Sequence, residues 1–204
     1  MRRLSGFFLF LILIDFASCK KDIEIRKPQV QSSTQTTFTI PNNDFEIWKV
    51  LGSNANPAWL TSWITDSNPL GLGPALSYII QPDSTNVYHG KYSVKLIYNH
   101  TEVTAWAKTQ FAIAAHPSSL HGYVKCDLSG TDTVAISIKL LKQGIVVDSG
   151  QWISTVPINI WSGITIPISH QNSVVDSALI IMKGGRFRPT STTTVLWVDD
   201  LSLY

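Results

Sequence analysis

The chain is poor in cysteine, in charge and in long apolar runs, and each shortage excludes something. Only Cys19 and Cys126 occur among its 204 residues. Cys19 lies near the start and Cys126 in the body, so the disulfide framework that staples many small secreted domains is not expected. Cys126 alone reads as a small buried hydrophobe. His121 lies five residues away, which on a strand places the two on opposite faces and rules out a Cys–His pair. Charged residues make up 15% of the chain and the net charge is +2. The basic excess sits in Arg2, Arg3, Lys20, Lys21, Arg26 and Lys27, and beyond Pro41 the charges nearly balance. Nucleic-acid binding needs a concentrated basic patch, and none is present. The apolar run at residues 7–14 is too short to span a membrane as a helix.

Catalytic signatures are missing as well. There is no Gly-x-Ser-x-Gly elbow, no His-Glu-x-x-His and no paired Cys-x-x-Cys. The histidines lack the ligand spacing of a zinc site. Asp199 and Asp200 are adjacent on a strand and point to opposite faces, so they cannot flank one scissile glycosidic bond. The sequence therefore predicts a protein without enzymatic activity.

What is present begins with a leader. Arg2 and Arg3 form a positive n-region, and residues 7–14 fit the apolar core of a secretory signal. Ala17-Ser18-Cys19 resembles a lipobox, which predicts a signal peptide at 1–18 and lipidation of Cys19. Acyl chains there anchor a protein to a membrane, at about 0.8 kcal/mol per buried CH₂. Residues 19–40 then read as the lipidated cysteine and a flexible tether, rich in Lys, Gln, Ser and Thr. The expected location is the cell envelope, lipid-anchored at the outer membrane or cell surface.

Residues 41–204 show short strands separated by Gly, Pro, Asn, Asp and Ser clusters, the pattern of an all-β sandwich or barrel. Residues 54–74 read as a long loop carrying Trp59 and Trp63, and residues 82–86 as a turn. Val94, Leu96 and Tyr98 alternate with polar neighbours, as do Ala105 and Ala107, Leu120 and Val124, and Val134, Ile136, Ile138 and Leu140. Residues 160–168 are expected to bury Ile160, Ile164, Ile166 and Ile168. Residues 178–182 are apolar on both faces, which marks a central strand. In the closing strand, Val195, Trp197, Asp199, Leu201 and Leu203 are expected to share one buried face. A carboxylate there costs several kcal/mol unless it is bonded or paired. Residues 43–48 are expected to meet this strand. Ile145, Val147 and Ile153 are expected to form the apolar side of their strand. Trp106, Lys108 and Gln110, then Tyr123, then Asp148 and Trp152, fall opposite the apolar sides of their strands and are expected outside.

Four motifs occur in order: Asn43-Asp-Phe-Glu-Ile-Trp48, His89-Gly-Lys-Tyr-Ser-Val-Lys-Leu96, His116-Pro-Ser-Ser-Leu-His-Gly-Tyr-Val-Lys125 and Leu196-Trp-Val-Asp-Asp-Leu-Ser-Leu203. This order resembles the carbohydrate-metabolism domain of Bacteroidetes lipoproteins. More distantly it is similar to jelly-roll carbohydrate-binding modules. Val124 stands where that family usually has a second Tyr, and Cys126 where an aromatic is common. The resemblance implies a two-layer antiparallel β-sandwich of jelly-roll, galactose-binding-like form. It implies non-catalytic binding of a polysaccharide or oligosaccharide, as an accessory to polysaccharide capture. Trp106, Trp152 and Tyr123 are the candidate sugar platforms, with Lys108, Gln110 and Asp148 to bond hydroxyls. The resemblance also implies a structural calcium ion held by Glu46 and Asp199, with Asp44 as a weaker ligand. The alternative use of Glu46 and Asp199 is to accept turn amides or pair with Lys91 or Lys95. The rival function is a structural or adhesive envelope module that binds a protein partner, and the remaining alternative is a glycoside-active enzyme.

Overall fold

The computed structural model describes residues 38–51, 54–56, 63–65, 80–98, 105–169, 174–185 and 193–204. All fall in one compact unit, Gln35–Tyr204. The signal peptide, Cys19, the tether up to residue 37, and Trp59 lie outside the described residues.

The architecture is a two-layer antiparallel β-sandwich of jelly-roll type. Its strands are β1 (Lys49–Leu51), β2 (Asn54–Asn56), β3 (Trp63–Thr65), β4 (Ile80–Asp83), β5 (Ser93–Tyr98), β6 (Ala105–Ala112), β7 (Ser119–Asp127), β8 (Val134–Lys142), β9 (Ile145–Ser154), β10 (Ile158–Pro167), β11 (Ser177–Gly184) and β12 (Thr194–Leu203). One five-stranded sheet has the order β10-β7-β12-β5-β4, the other β3-β6-β11-β8-β9, and β1 pairs with β2. No helix occurs among the described residues. Alternation along each strand explains the layering, because every second side chain turns inward. Val94, Leu96, Leu120, Val124 and Cys126 from one sheet meet Ala107, Ile136, Ile138, Leu140, Ile180 and Met182 from the other. The strand at 178–182, apolar on both faces, is β11 at the centre of its sheet.

Residues 43–48 meet β12 as expected. Asn43 Nδ2 donates to the Leu201 carbonyl at 2.9 Å, and the Leu201 amide donates back to the Asn43 carbonyl at 2.9 Å. Phe38 bridges Leu203. Phe45 is fully buried, its ring centroid 5.4 Å from that of Trp63.

Several expectations are corrected. Trp63, expected in a loop, is a buried strand residue whose indole N–H donates to the Pro41 carbonyl at 2.8 Å. Pro82, expected in a turn, belongs to β4, the edge of its sheet, where a missing N–H is tolerated. Ile160 is 76% exposed rather than buried. The register of β10 on β7 slips between Ile158 and Ser162, so Ile160 sits in a bulge. A second slip, between Asp199 and Ser202, divides β12. Leu196 and Val198 face the core, which turns Val195, Trp197 and Asp199 to the outer face. Asp200 then adopts a left-handed φ of 47°. Past that bulge Leu201 and Leu203 point inward and are buried. The five residues expected on one face are thus split between two, because a bulge inserts one residue and inverts the alternation after it.

Gly122 is what lets the bulge close. A Cβ at this position would lie 2.5 Å from Leu201 Cδ2. Leu201 therefore packs into the space left by the missing side chain.

Candidate functional site

Asp199 faces outward by strand alternation yet is fully buried. The cover is the connection at residues 84–92, which crosses the outer face of the β10-β7-β12-β5-β4 sheet as a strap. Three carboxylates hold it, and each accepts a pair of successive peptide N–H groups. Asp83 Oδ1 accepts from Thr85 and Asn86 at 2.8 and 3.1 Å. Asp199 Oδ2 accepts from Tyr88 and His89 at 3.0 and 3.2 Å. Glu46 Oε1 accepts from Lys91 and Tyr92 at 2.6 and 3.0 Å. The acceptors therefore engage the strap at every third residue. Gly90, with φ +75°, passes so close to Glu46 that a Cβ would sit 2.1 Å from Oε1.

The electrostatics of two of these carboxylates differ. Burial raises the pKa of Asp83, but hydrogen bonds from Thr85, Trp197 and Asn86 outweigh it and hold it well below the usual carboxylate range. Trp197 Nε1 donates to Asp83 Oδ2 at 2.8 Å, and Lys95 Nζ lies 3.6 Å from the same oxygen. Asp199 goes the other way. Burial pushes it up to about 6, and the amides of His89 and Tyr88 offset only part of that.

The strap delivers Tyr88 onto Tyr123 of β7. Their rings stack with centroids 3.5 Å apart and an interplanar angle of 14°. A hydrogen bond to Tyr123 raises the Tyr88 phenol above its ordinary pKa. The Trp161 ring of β10 lies 6.2 Å from Tyr88. Beside this cluster runs a groove of about 320 Å³, lined by His121, Gly122, Tyr123, Gly163, Ile164, Thr165, Asp200, Ser202 and Tyr204. Its far end is closed by Tyr204, whose ring meets that of His121 edge-on at 4.7 Å. His121 is fixed by the Ser119 hydroxyl at 2.9 Å and the Thr165 hydroxyl at 3.2 Å. Asp200 is half-buried, 3.7 Å from His89 Nδ1. The groove thus offers aromatic rings at both ends and hydroxyl, imidazole and carboxylate groups between them.

The expected sugar-binding residues do not form one surface. Tyr123 borders the groove. Trp106, Lys108 and Gln110 face outward from β6 in the other sheet, with Lys108 Nζ 5.1 Å from the Trp106 ring centroid. Trp152 and Asp148 are corrected. Trp152 pairs with the buried Ile136 and packs against the core, and Asp148 pairs with the buried Leu140. Asp148 is itself buried, 3.2 Å from His116 Nε2. Trp106 and Trp152 therefore lie on opposite faces of one sheet, separated by β11 and β8.

Tyr88, Trp161, His121, Asp200 and Tyr204 were not singled out as sugar-binding residues. Trp161, Gly163 and Thr165 alternate with Ile164 and Ile166, which is a readable signal. Tyr88 lies in a turn, where no periodicity points to its contact with Tyr123.

The residues of the expected calcium site fit the alternative use. Glu46 Oε1 and Asp199 Oδ2 are directed at peptide N–H groups, which repel a cation, and Asp199 Oδ1 accepts the Asp200 amide at 2.9 Å. Asp44 Oδ1 faces the Glu46 amide at 3.5 Å. No cluster of three or more His, Cys, Asp or Glu suited to a metal occurs among the described residues.

No family model matches the chain, and no curated protein matches it. Solved structures do. A candidate glycoside hydrolase from Bacteroides thetaiotaomicron is similar over 83% of this chain and 70% of its own, at 9% identity and a TM-score of 0.50. An arabinose-bound α-L-arabinofuranosidase is similar over 81% of this chain and 26% of its own, at 12% identity and a TM-score of 0.51. A structure from carbohydrate-binding modules of the β-sandwich superfamily is similar over 62% of this chain and 52% of its own, at 10% identity and a TM-score of 0.46. The chain thus spans about half of that last chain and about a quarter of the arabinofuranosidase. At these identities the likeness is one of fold.

Proposed function

We propose that this domain is a non-catalytic glycan-binding module and that the groove between Tyr123 and Tyr204 is its sugar site. The groove itself is the observation that carries the reading. Aromatic faces suit the C–H side of a sugar ring, and Thr165, Ser202, His121 and Asp200 suit its hydroxyls. Glycosidases use two carboxyl groups about 5 to 9.5 Å apart across the scissile bond. Among the described residues Asp200 is the one carboxylate lining this groove, and Asp199 is buried beneath the strap. Two of the similar structures are described as a candidate glycoside hydrolase and an arabinose-bound arabinofuranosidase, which supports the ligand class. A glycan array of the wild type and of Tyr123→Ala and Tyr204→Ala, the two aromatic residues lining the groove, tests the reading. Binding lost in both variants supports it. No glycan bound, or binding unchanged in both, refutes it.

The context of this binding is a lipid anchor at Cys19, with the module held off the outer membrane or cell surface by residues 19–40. The signal-like leader supports it. Cys19→Ala is expected to leave the membrane fraction or accumulate as precursor, and co-fractionation unchanged from the wild type refutes the anchor.

A second reading, an envelope module that binds a protein partner, is favoured by a separate observation. Ile145, Ile153, Val156 and Ile160 on or beside β9 and β10 are all more than half exposed. These are edge strands, which present unpaired backbone groups to partners. An array without hits, together with partner capture lost in Ile145→Ser/Ile160→Ser, would favour this reading.

A further inference from the structure

The outer face of the second sheet has a charge pattern unlike that of the groove. β6, β11 and β8 are neighbours there, and their outward residues include Trp106, Lys108, Lys183 and Lys139. The register sets Lys183 opposite Trp106 and Ile181 opposite Lys108, so Lys183 borders the same indole that the Lys108 ammonium approaches at 5.1 Å. Lys139 is paired with Leu179, four residues along from Lys183. At about 3.4 Å per residue that separates their stems by roughly 14 Å. Between them lies a shallow cavity of about 260 Å³ edged by Ser137, Ser149 and Gln151. The one carboxylate carried by β3, β6, β8, β9 and β11 is Asp148, and it is buried on the core side. Among the described residues none of the three lysines has a carboxylate within ion-pair distance, whereas Lys95 has Asp83.

We propose that this face is a second binding site, separate from the groove, for an acidic polysaccharide carrying carboxylate or sulfate groups along its length. A single phosphate calls for donors that converge on one point. These cations are instead spread over a flat sheet, which matches a chain with repeated negative charges. Trp106 adds an apolar ring face, and Ser137, Ser149 and Gln151 add hydroxyl partners. This inference does not depend on what occupies the groove.

The test uses affinity electrophoresis of the full chain in polygalacturonate and in chondroitin sulfate, with single-stranded DNA as a polyanion control. The variants are Lys108→Gln/Lys139→Gln/Lys183→Gln and Trp106→Ala. Thermal midpoints check folding, and these outward-facing Lys→Gln changes should leave them nearly unaltered. The wild type is expected to be retarded by at least one acidic polysaccharide, and the retardation should fade as salt rises and the charges are screened. The triple variant should bind about tenfold more weakly, as expected for losing three exposed ion pairs. Trp106→Ala should weaken polysaccharide binding by removing the apolar ring face. Failure of both polysaccharides to bind, equal binding by the triple variant, or DNA binding as tight as polysaccharide binding would overturn the proposal.

Discussion

Asp199 gives the sharpest stability prediction, because its carboxylate is buried and yet bonded to three peptide N–H groups. Asp199→Asn keeps a carbonyl oxygen to accept the strap amides and removes the charge. Burial raises the folded-state pKa from the usual 3.8 to about 6. The sign follows from proton linkage. Between these values the folded state holds the proton and the unfolded state does not, so stability falls as pH rises through the window. One pKa unit is worth about 1.36 kcal/mol, so from pH ~4.5 to 6 the loss is about 2 kcal/mol, and above 6 it levels off. Asp83, held low by its hydrogen bonds, has the opposite sign: its contribution is present at neutral pH and is lost as pH falls below the unfolded value. That term is common to both proteins and cancels when they are compared. Urea unfolding at pH ~4.5 and ~7.5, followed by tryptophan fluorescence, measures the difference. The wild type is expected to lose about 2 kcal/mol relative to Asp199→Asn on going to the higher pH. A difference that is flat with pH, or that favours the wild type more at pH ~7.5, would refute the reasoning.

Three further outcomes follow from the same geometry. Gly122→Ala places a methyl 2.5 Å from Leu201 Cδ2 and should destabilise by about 1–3 kcal/mol through overpacking. Leu201→Ala in the same chain should recover part of that loss, and urea titrations of the double variant check it. Glu46→Ala removes the acceptor for the Lys91 and Tyr92 amides and should lower stability by about 1–3 kcal/mol. Hydrogen exchange should show the strap losing protection before the core. Thermal melts with and without a chelator separate the two uses of Glu46 and Asp199. An amide clasp predicts an unchanged midpoint, and a fall on chelation would assign the calcium ion.

Much of the fold was legible because alternation is a local signal. The inward faces of β5, β6, β7 and β8 follow directly from Val94 and Leu96, Ala105 and Ala107, Leu120 and Val124, and Val134 to Leu140. The meeting of residues 43–48 with β12 was also readable, from a buried carboxylate that needed partners. Bulges are what defeated the pattern. The slip in β10 exposed Ile160, and the slip at Asp200 inverted half of β12. Neither leaves a mark in composition, because each is set by how two strands register in space. On β9 the sense of the alternation was reversed, and a further register slip between Val146 and Asp148 breaks it. Trp152 turns to the core, and Ile145 and Ile153 face away, which is affordable at the edge of a sheet. The candidate site suffered most, because its aromatic cluster joins Tyr88 from a turn to Tyr123 and Trp161 from two strands. Those contacts exist only once the carboxylates of Asp83, Asp199 and Glu46 have fixed the strap.

The central claim is that sugar binds in the groove on the β10-β7-β12 face. Chemical-shift mapping with a neutral oligosaccharide found on the array tests it directly. The account predicts that the His121 ring and the amides of Tyr123, Gly163 and Ser202 shift on titration, while the Trp106 indole does not. Shifts confined to Trp106 and its neighbours on β6 and β11, with the groove silent, would contradict it.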